Sequence, residues 1–220
     1  MIFGKIEYLN LLPFHVFMKR FTKSSQEKMS MHYKRGVPSN INKKFLTRDV
    51  DAAFISSIKA KKFSHVDLGI IAKKEVLSVL VIPHTSSAND AASASSNVLA
   101  KLLGIEGEVL IGDKALKYYL AGNPTIDLAQ KWNEKYNLPF VFAVLCFHKD
   151  AQRYKQIQKK FSKQKIKIPQ YILSLASKRT GIQNKDILHY LKFISYDLDT
   201  KAKKGLKKFY RLNSLLHTLS

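Results

Sequence analysis

One cysteine, Cys146, stands in 220 residues, so no disulfide forms within the chain. It lies inside the apolar run FVFAVLCFH and reads as a small buried hydrophobe rather than a nucleophile. Glycine is scarce too. None of the nine is arranged as a phosphate loop or dinucleotide fingerprint, and GDKA at 112–115 is too short for either. The seven histidines make no pair at helical ligand spacing, which with a single cysteine leaves no zinc pattern. No cofactor and no metal are therefore expected. No run approaches the length that spans a bilayer, and the first residues lack the basic segment and continuous apolar core of a secretory signal. The expected location is cytoplasmic, with no membrane partner.

Negative charge is also in short supply. Against 38 Lys+Arg there are 16 Asp+Glu, a formal +22, which raises nucleic acid as a partner. The distribution points elsewhere. From Asp150 onward there are 17 Lys+Arg and four acidic residues, set among helical stripes such as Ile168, Ile172, Leu175 and Ala176. Solvated helix faces account for this pattern, and no nucleic-acid motif accompanies it, so no nucleic-acid partner is expected. KAKKGLKKFYR, at 201–211, is the densest basic cluster and the one segment suited to a polyanion.

A hydrophobic fraction of 45% supplies one large core or two modest ones. Short apolar strands alternate with helical patterns over the first two thirds, which predicts an α/β protein with a largely parallel sheet. Strands are expected at 2–8, 31–34, 50–55, 68–72, 77–82, 109–111 and 140–147. After Asp150 the pattern is helical to the end, at 152–163, 169–178, 185–195 and 200–216. HTSSANDAASASSN, at 84–97, is either a linker or a turn that delivers Ser93, Ser95 and Ser96 to a helix N-terminus, where hydroxyls and free N–H groups bind anions.

In YLNLLPF, Phe14, Phe17, Met18 and Phe21 fall on one helical stripe with Pro13 in the first turn, so Asn10 sits at a strand-to-helix junction. It caps the helix or faces a ligand at the strand's C-terminal end, where open α/β sheets bind theirs. The same two roles are open to Ser56 and Ser57, which end DAAFISS. Ser39 and Asp113 read as helix caps, and Trp132, Tyr136 and Phe140 as packing. Asp51 begins a strand and belongs far from any cleft. Small amide and hydroxyl side chains at strand ends suit a small anion.

Four ordered segments carry a resemblance: YLNLLPF, GVPSNINKKFLTRDVDAAFISSIKA, EVLIGDKAL and DLAQKWNEKYNLPFVFA. Together they resemble the chorismate dehydratases of the futalosine route to menaquinone. The resemblance implies a two-lobed type II periplasmic-binding-protein-like fold, with residues 1–83 plus 142–220 as lobe I and 84–141 as an inserted lobe II. A Leu-x-Gly-Lys-x-Val strand region of the family is missing here, so the second lobe should be reduced, and the C-terminal region helical. It implies a hydro-lyase that converts chorismate to 3-[(1-carboxyvinyl)oxy]benzoate without cofactor or metal, as a monomer or homodimer. Asn10 would be the catalytic residue, orienting the leaving hydroxyl or the ring carboxylate. Ser56 and Ser57 would donate to one carboxylate, and Ser95 and Ser96, in a turn with Ser93, would grip the other. The substrate's enolpyruvyl carboxylate would act as base. Alternatives are the 1,4-dihydroxy-6-naphthoate synthase-like enzyme of the same pathway, which opens on a different motif, and a non-catalytic small-anion-binding protein of the same fold.

Overall fold

The structure is a computed structural model that describes residues 1–22 and 31–218. Its strands are β1 (Ile2–Ile6), β2 (His32–Gly36), β3 (Ala52–Ser56), β4 (His65–Ala72), β5 (Val79–Ile82), β6 (Glu108–Ile111), β7 (Ile126–Asp127), β8 (Phe140–Phe147) and β9 (Ile194–Asp197). Six form one sheet in the order β2-β1-β3-β8-β4-β9, and the other three form a second sheet in the order β6-β5-β7. The helices are α1 (Leu12–Phe21), α2 (Pro38–Leu46), α3 (Ser57–Ala60), α4 (Ala94–Leu103), α5 (Gly112–Leu120), α6 (Leu128–Tyr136), α7 (Ala151–Ser162), α8 (Gln170–Thr180), α9 (Asn184–Tyr190) and α10 (Thr200–Thr218).

The aromatic stripe of α1 is what seats it on the larger sheet. Phe14 meets Phe54 of β3 edge-on at 4.9 Å between ring centroids, and Phe161 of α7 packs on Phe14 and Phe17 at 5.4 and 5.2 Å. Such edge-to-face pairs add to the burial of the rings themselves.

Parallel pairing is confined to one side of this sheet. β1 runs parallel to β2 and β3, but β8 is antiparallel to both β3 and β4, β4 is antiparallel to β9, and the small sheet is antiparallel throughout. The expected largely parallel sheet is corrected by the path of the chain. It leaves for the second lobe after β4 and returns along β8, and a returning strand enters between its neighbours in the opposite direction.

Two further differences concern where elements lie. β5 was grouped with the first lobe, yet it pairs with β6 and β7, so the outward crossing falls within 73–78. Asp127 fixes that crossing, accepting the N–H groups of Val76 and Leu77 at 2.8 Å each while capping α6 through Ala129 and Gln130. The C-terminal region is also not wholly helical, because β9 pairs with β4. Ile194 continues the apolar stripe of α9, so its strand looked like one more helical turn.

α10 puts its lysines where solvation predicts. Lys201, Lys203, Lys204 and Lys207 are exposed, while Ala202, Leu206 and Phe209 are buried. Phe209 packs on Phe140 at 4.9 Å and on Trp132 of α6 at 6.2 Å, so this helix covers the return crossing. Gly205 allows the approach: a Cβ there would collide with the carbonyl oxygen of Pro139. Gly205→Ala is therefore expected to lower stability by about 1–3 kcal/mol despite the better helix propensity of alanine. A reduced urea midpoint with an unchanged slope checks it.

Candidate active site

Between the two sheets lies a narrow cavity of about 60 Å³. Its polar lining comes from Tyr8 and Asn10 after β1, Ser56 at the end of β3, Ser78 in the outward crossing, and Ser93 and Ser96 at the start of α4. Phe54, Phe142, Ile70 and Ile111 supply apolar wall, and among the described residues no charged side chain lines it.

Asn10 sits in the 3-10 turn Leu9–Leu11 that joins β1 to α1. It caps neither helix: the residue at the N-cap of α1 is Leu11, and no side chain caps either start. Its backbone is held, since Tyr196 donates its hydroxyl to Asn10 O at 2.6 Å and Leu9 N–H donates to Asp113 Oδ1 at 2.9 Å. Its side-chain Oδ1 is buried and has no hydrogen-bond partner. Buried polar atoms of a folded protein are nearly always paired, so this one marks a place where a ligand completes the bonding.

Ser56 occupies the N-cap position of α3 but makes no capping bond. Its N–H donates to Asn42 Oδ1 at 3.1 Å and its Oγ accepts from Asn42 Nδ2 at 2.8 Å. Because a backbone N–H can only donate, the atom facing it must be the amide oxygen, and the other end of Asn42 must then be a donor. The hydroxyl hydrogen of Ser56 is thereby left free to point into the cavity.

Ser93 does cap α4. Its Oγ accepts from Ser96 N–H at 3.2 Å and donates to Ser96 Oγ at 2.7 Å, which leaves the Ser96 hydroxyl hydrogen free to donate. The 84–97 segment is held in place as well as polar, since Asp90 accepts from Ala92 N–H at 2.7 Å and from Ile111 N–H at 3.2 Å.

Ser57 and Ser95 do not line the cavity. Their hydroxyls bond each other at 3.0 Å, Ser95 Oγ also accepts from Ile58 N–H at 3.2 Å, and both side chains are buried. Ser57 belongs to the larger lobe and Ser95 to the smaller, so the pair stitches the lobes together. The structure thus brings Asn10, Ser56, Ser93 and Ser96 to one cavity and turns Ser57 and Ser95 toward one another.

Ser78 and Tyr8 complete the polar wall. Ser78 Oγ shares a hydrogen bond of 2.8 Å with Tyr190 OH. Tyr8 lies against Gly112, whose positive φ of 70° suits glycine and where a Cβ would come within 2.6 Å of the ring. Burial, and then the carboxylates of Asp90 and Asp113, push the Tyr8 phenol up to about 12, so its O–H stays protonated. Asn42 was missed from the sequence; the signal was its place beside Ile41 on the inward stripe that ends at Phe45, where an amide needs a buried partner. Ser78 and Tyr8 carried no such signal.

The remaining candidates find other work. Ser39 caps nothing, since Val37 precedes α2 without a side-chain cap. Asp113 does not cap α5 but bonds Leu9 N–H and Arg179. Asp51 holds Ile2 N–H at 2.7 Å, away from the cavity. A larger groove of about 580 Å³ borders the outer side of β1, α1 and α8. Tyr8 lines both spaces, but Asn10 and the serines do not reach the groove, whose Lys5 and Arg35 pair with Glu7 at 3.3 and 3.5 Å. His15, in that groove, donates Nε2–H to Ile6 O at 2.7 Å, and burial lowers its pKa to about 4, so it is neutral at pH 7.

Comparison with known proteins was made against this geometry. The sequence pattern of the family described as menaquinone biosynthesis matches residues 1–108 and 99–214. The chain is 52% identical over 216 residues to a chorismate dehydratase of Campylobacter jejuni subsp. jejuni serotype O:23/36 (strain 81-176), covering 96% of each. Among solved structures it is similar to a protein from Archaeoglobus fulgidus, with a TM-score of 0.68 at 12% identity over 99% of this chain and 97% of that one. It is also similar to a Candida albicans gene product described as exhibiting the generic periplasmic binding protein fold, with a TM-score of 0.54 at 12% identity over 98% and 90%. These likenesses carry the fold, two lobes of α/β structure around a cleft.

Asn42→Leu keeps the bulk of the side chain but strands the Ser56 N–H without a partner. It is expected to cost about 1–3 kcal/mol, measured by urea unfolding, whereas Asn42→Asp should cost less because the acceptor remains.

Proposed function

We infer that this chain, which belongs to the menaquinone-biosynthesis family, is a chorismate dehydratase, a hydro-lyase that removes water from chorismate to give 3-[(1-carboxyvinyl)oxy]benzoate. The observation that carries its mechanism is the cleft: among the described residues amide and hydroxyl dipoles line it, no charged side chain does, and Asn10 Oδ1 finds no partner. The identity to a dehydratase over nearly the whole chain supports this reading over the naphthoate-forming one.

The reaction breaks the C–H bond beside the ether oxygen. Its electron pair becomes ring π bonding, and the neighbouring C–O bond breaks with loss of hydroxide. Proton and hydroxide together make the departing water, and the ring becomes aromatic. The protein's task is then orientation and placement of dipoles rather than strong acid or base chemistry. Asn10 orients the departing hydroxyl. Ser56 and Ser96, from opposite lobes and each with a free hydroxyl hydrogen, hold the two carboxylates, with Ser93 fixing Ser96. Among the described residues the lining is amide, hydroxyl and apolar, which favours the substrate's own enolpyruvyl carboxylate, held over the ring by the serines, as the group that takes the proton. Ser57 and Ser95 contribute by holding the lobes in register.

A cavity of about 60 Å³ holds roughly two waters, too little for a ring that carries two carboxylates. The substrate therefore enters with the lobes further apart than they stand here. We place the enzyme, as a biosynthetic one, in the cytoplasm; no helix among the described residues is long and apolar enough to cross a membrane. We propose that it acts as a monomer or a homodimer.

Purified protein incubated with chorismate is expected to form the aromatic enolpyruvyl ether, followed by chromatography, and an unchanged chorismate pool would overturn the assignment. Asn10→Ala should melt within about 3 °C of the wild type, since it removes an unpaired atom, and lose about 100-fold or more in kcat/KM. Undiminished turnover in that variant would return Asn10 to a structural role.

A further inference from the structure

We propose that Asp113 converts closure of the two lobes into the placement of Asn10, as a positioning residue that never touches the substrate. The proposal rests on the reading of Asn10 given above. Asp113 lies in the first turn of α5, on the smaller lobe, and its side chain is only 16% exposed. One carboxylate oxygen, Oδ1, accepts the N–H of Leu9, in the larger lobe, at 2.9 Å. The other, Oδ2, accepts from Arg179 Nη1 of α8, also at 2.9 Å.

Leu9 is the residue before Asn10, and its N–H opens the 3-10 turn, where no partner within the turn is available. The turn therefore has two tethers. Tyr196 OH on Asn10 O joins parts of the same lobe and survives any opening of the cleft. Asp113 on Leu9 N–H joins opposite lobes, and opening must break it. With the lobes together the turn is fixed at both points, and with the lobes parted at one. The contact of Tyr8 with Gly112, one residue before Asp113, closes in the same movement. Arg179 completes the device by engaging Oδ2, which leaves Oδ1 turned toward Leu9. Asp113 is absent from the lining of the cleft, so its effect passes through Leu9 and the turn.

The order of three substitutions separates this role from a plain ion pair. Asp113→Asn keeps the side-chain length and an amide oxygen for Leu9 N–H but loses the charge. Asp113→Glu keeps the charge for Arg179 but displaces the acceptor by one methylene. In the full-length protein turning over chorismate, Asp113→Ala is expected to lower kcat about 30-fold or more with KM within about threefold. Asp113→Asn should hold kcat within about fivefold of wild type, and Asp113→Glu should fall about tenfold or further. A simple ion pair gives the reverse order, Glu above Asn, and would overturn the proposal, as would all three variants near wild-type kcat or a loss confined to KM. If Asp113→Ala gives no cooperative melt, the order of Asn and Glu decides alone. The controls are wild type and Asn10→Ala in the same assay. An inert wild type or a fully active Asn10→Ala removes the underlying reading and this proposal with it. An active wild type, an inactive Asn10→Ala and indifferent Asp113 variants remove this proposal only.

Discussion

A polar atom taken out of water needs a partner, and the arrangement of this cleft follows from how that demand is met. Asn42 spends its amide on both polar groups of Ser56, Ser57 bonds Ser95, Ser93 bonds Ser96, and Ser78 bonds Tyr190. The pairings of Ser56 and of Ser96 each leave a hydroxyl hydrogen free to face inward. Of the buried side-chain atoms that lack a partner among the described residues, Asn10 Oδ1 is the one that belongs to a cleft-lining residue. Around the cleft the described polar groups are otherwise balanced, and the balance is left open at this one atom.

The strong positive charge acts at a different range. Among the described residues none of it reaches the cleft wall, and Lys201, Lys203, Lys204 and Lys207 of α10 face solvent. A field of that sign raises the encounter rate with a dianion without presenting an ammonium group that would hold the product as tightly as the substrate. Attraction over distance and grip at contact are thus assigned to different groups: lysine and arginine outside, amide and hydroxyl within.

Much of this was legible in the sequence, for physical reasons. β8 stands at the residues its apolar run predicted, because a strand buried on both faces has an uninterrupted pattern. α10 was equally clear from its alternating apolar and lysine positions. The strand order of the large sheet was not legible, since local pattern says nothing about which neighbour a strand meets or in which direction. β5 was misplaced for the same reason: KKEVLS, between it and β4, carries no glycine or proline to mark a change of lobe. Asn10, Ser56, Ser93 and Ser96 were singled out because they lie at strand-to-helix junctions or helix starts, and the structure lines one cavity with them. Ser57 and Ser95 share those positions, and the sequence does not say that a partner from the other lobe engages their hydroxyls.

The position of β8 between β3 and β4 bears on how the molecule is made. As the chain is synthesised, β3 and β4 appear long before residue 140, and their facing edges have nothing to pair with until the whole smaller lobe has emerged. During that interval the nascent larger sheet carries a gap one strand wide, with open backbone groups along both sides, a form that invites pairing with other chains. Biogenesis is therefore most exposed to aggregation before β8 inserts, and slow translation or chaperone binding over 83–139 would have its largest effect there.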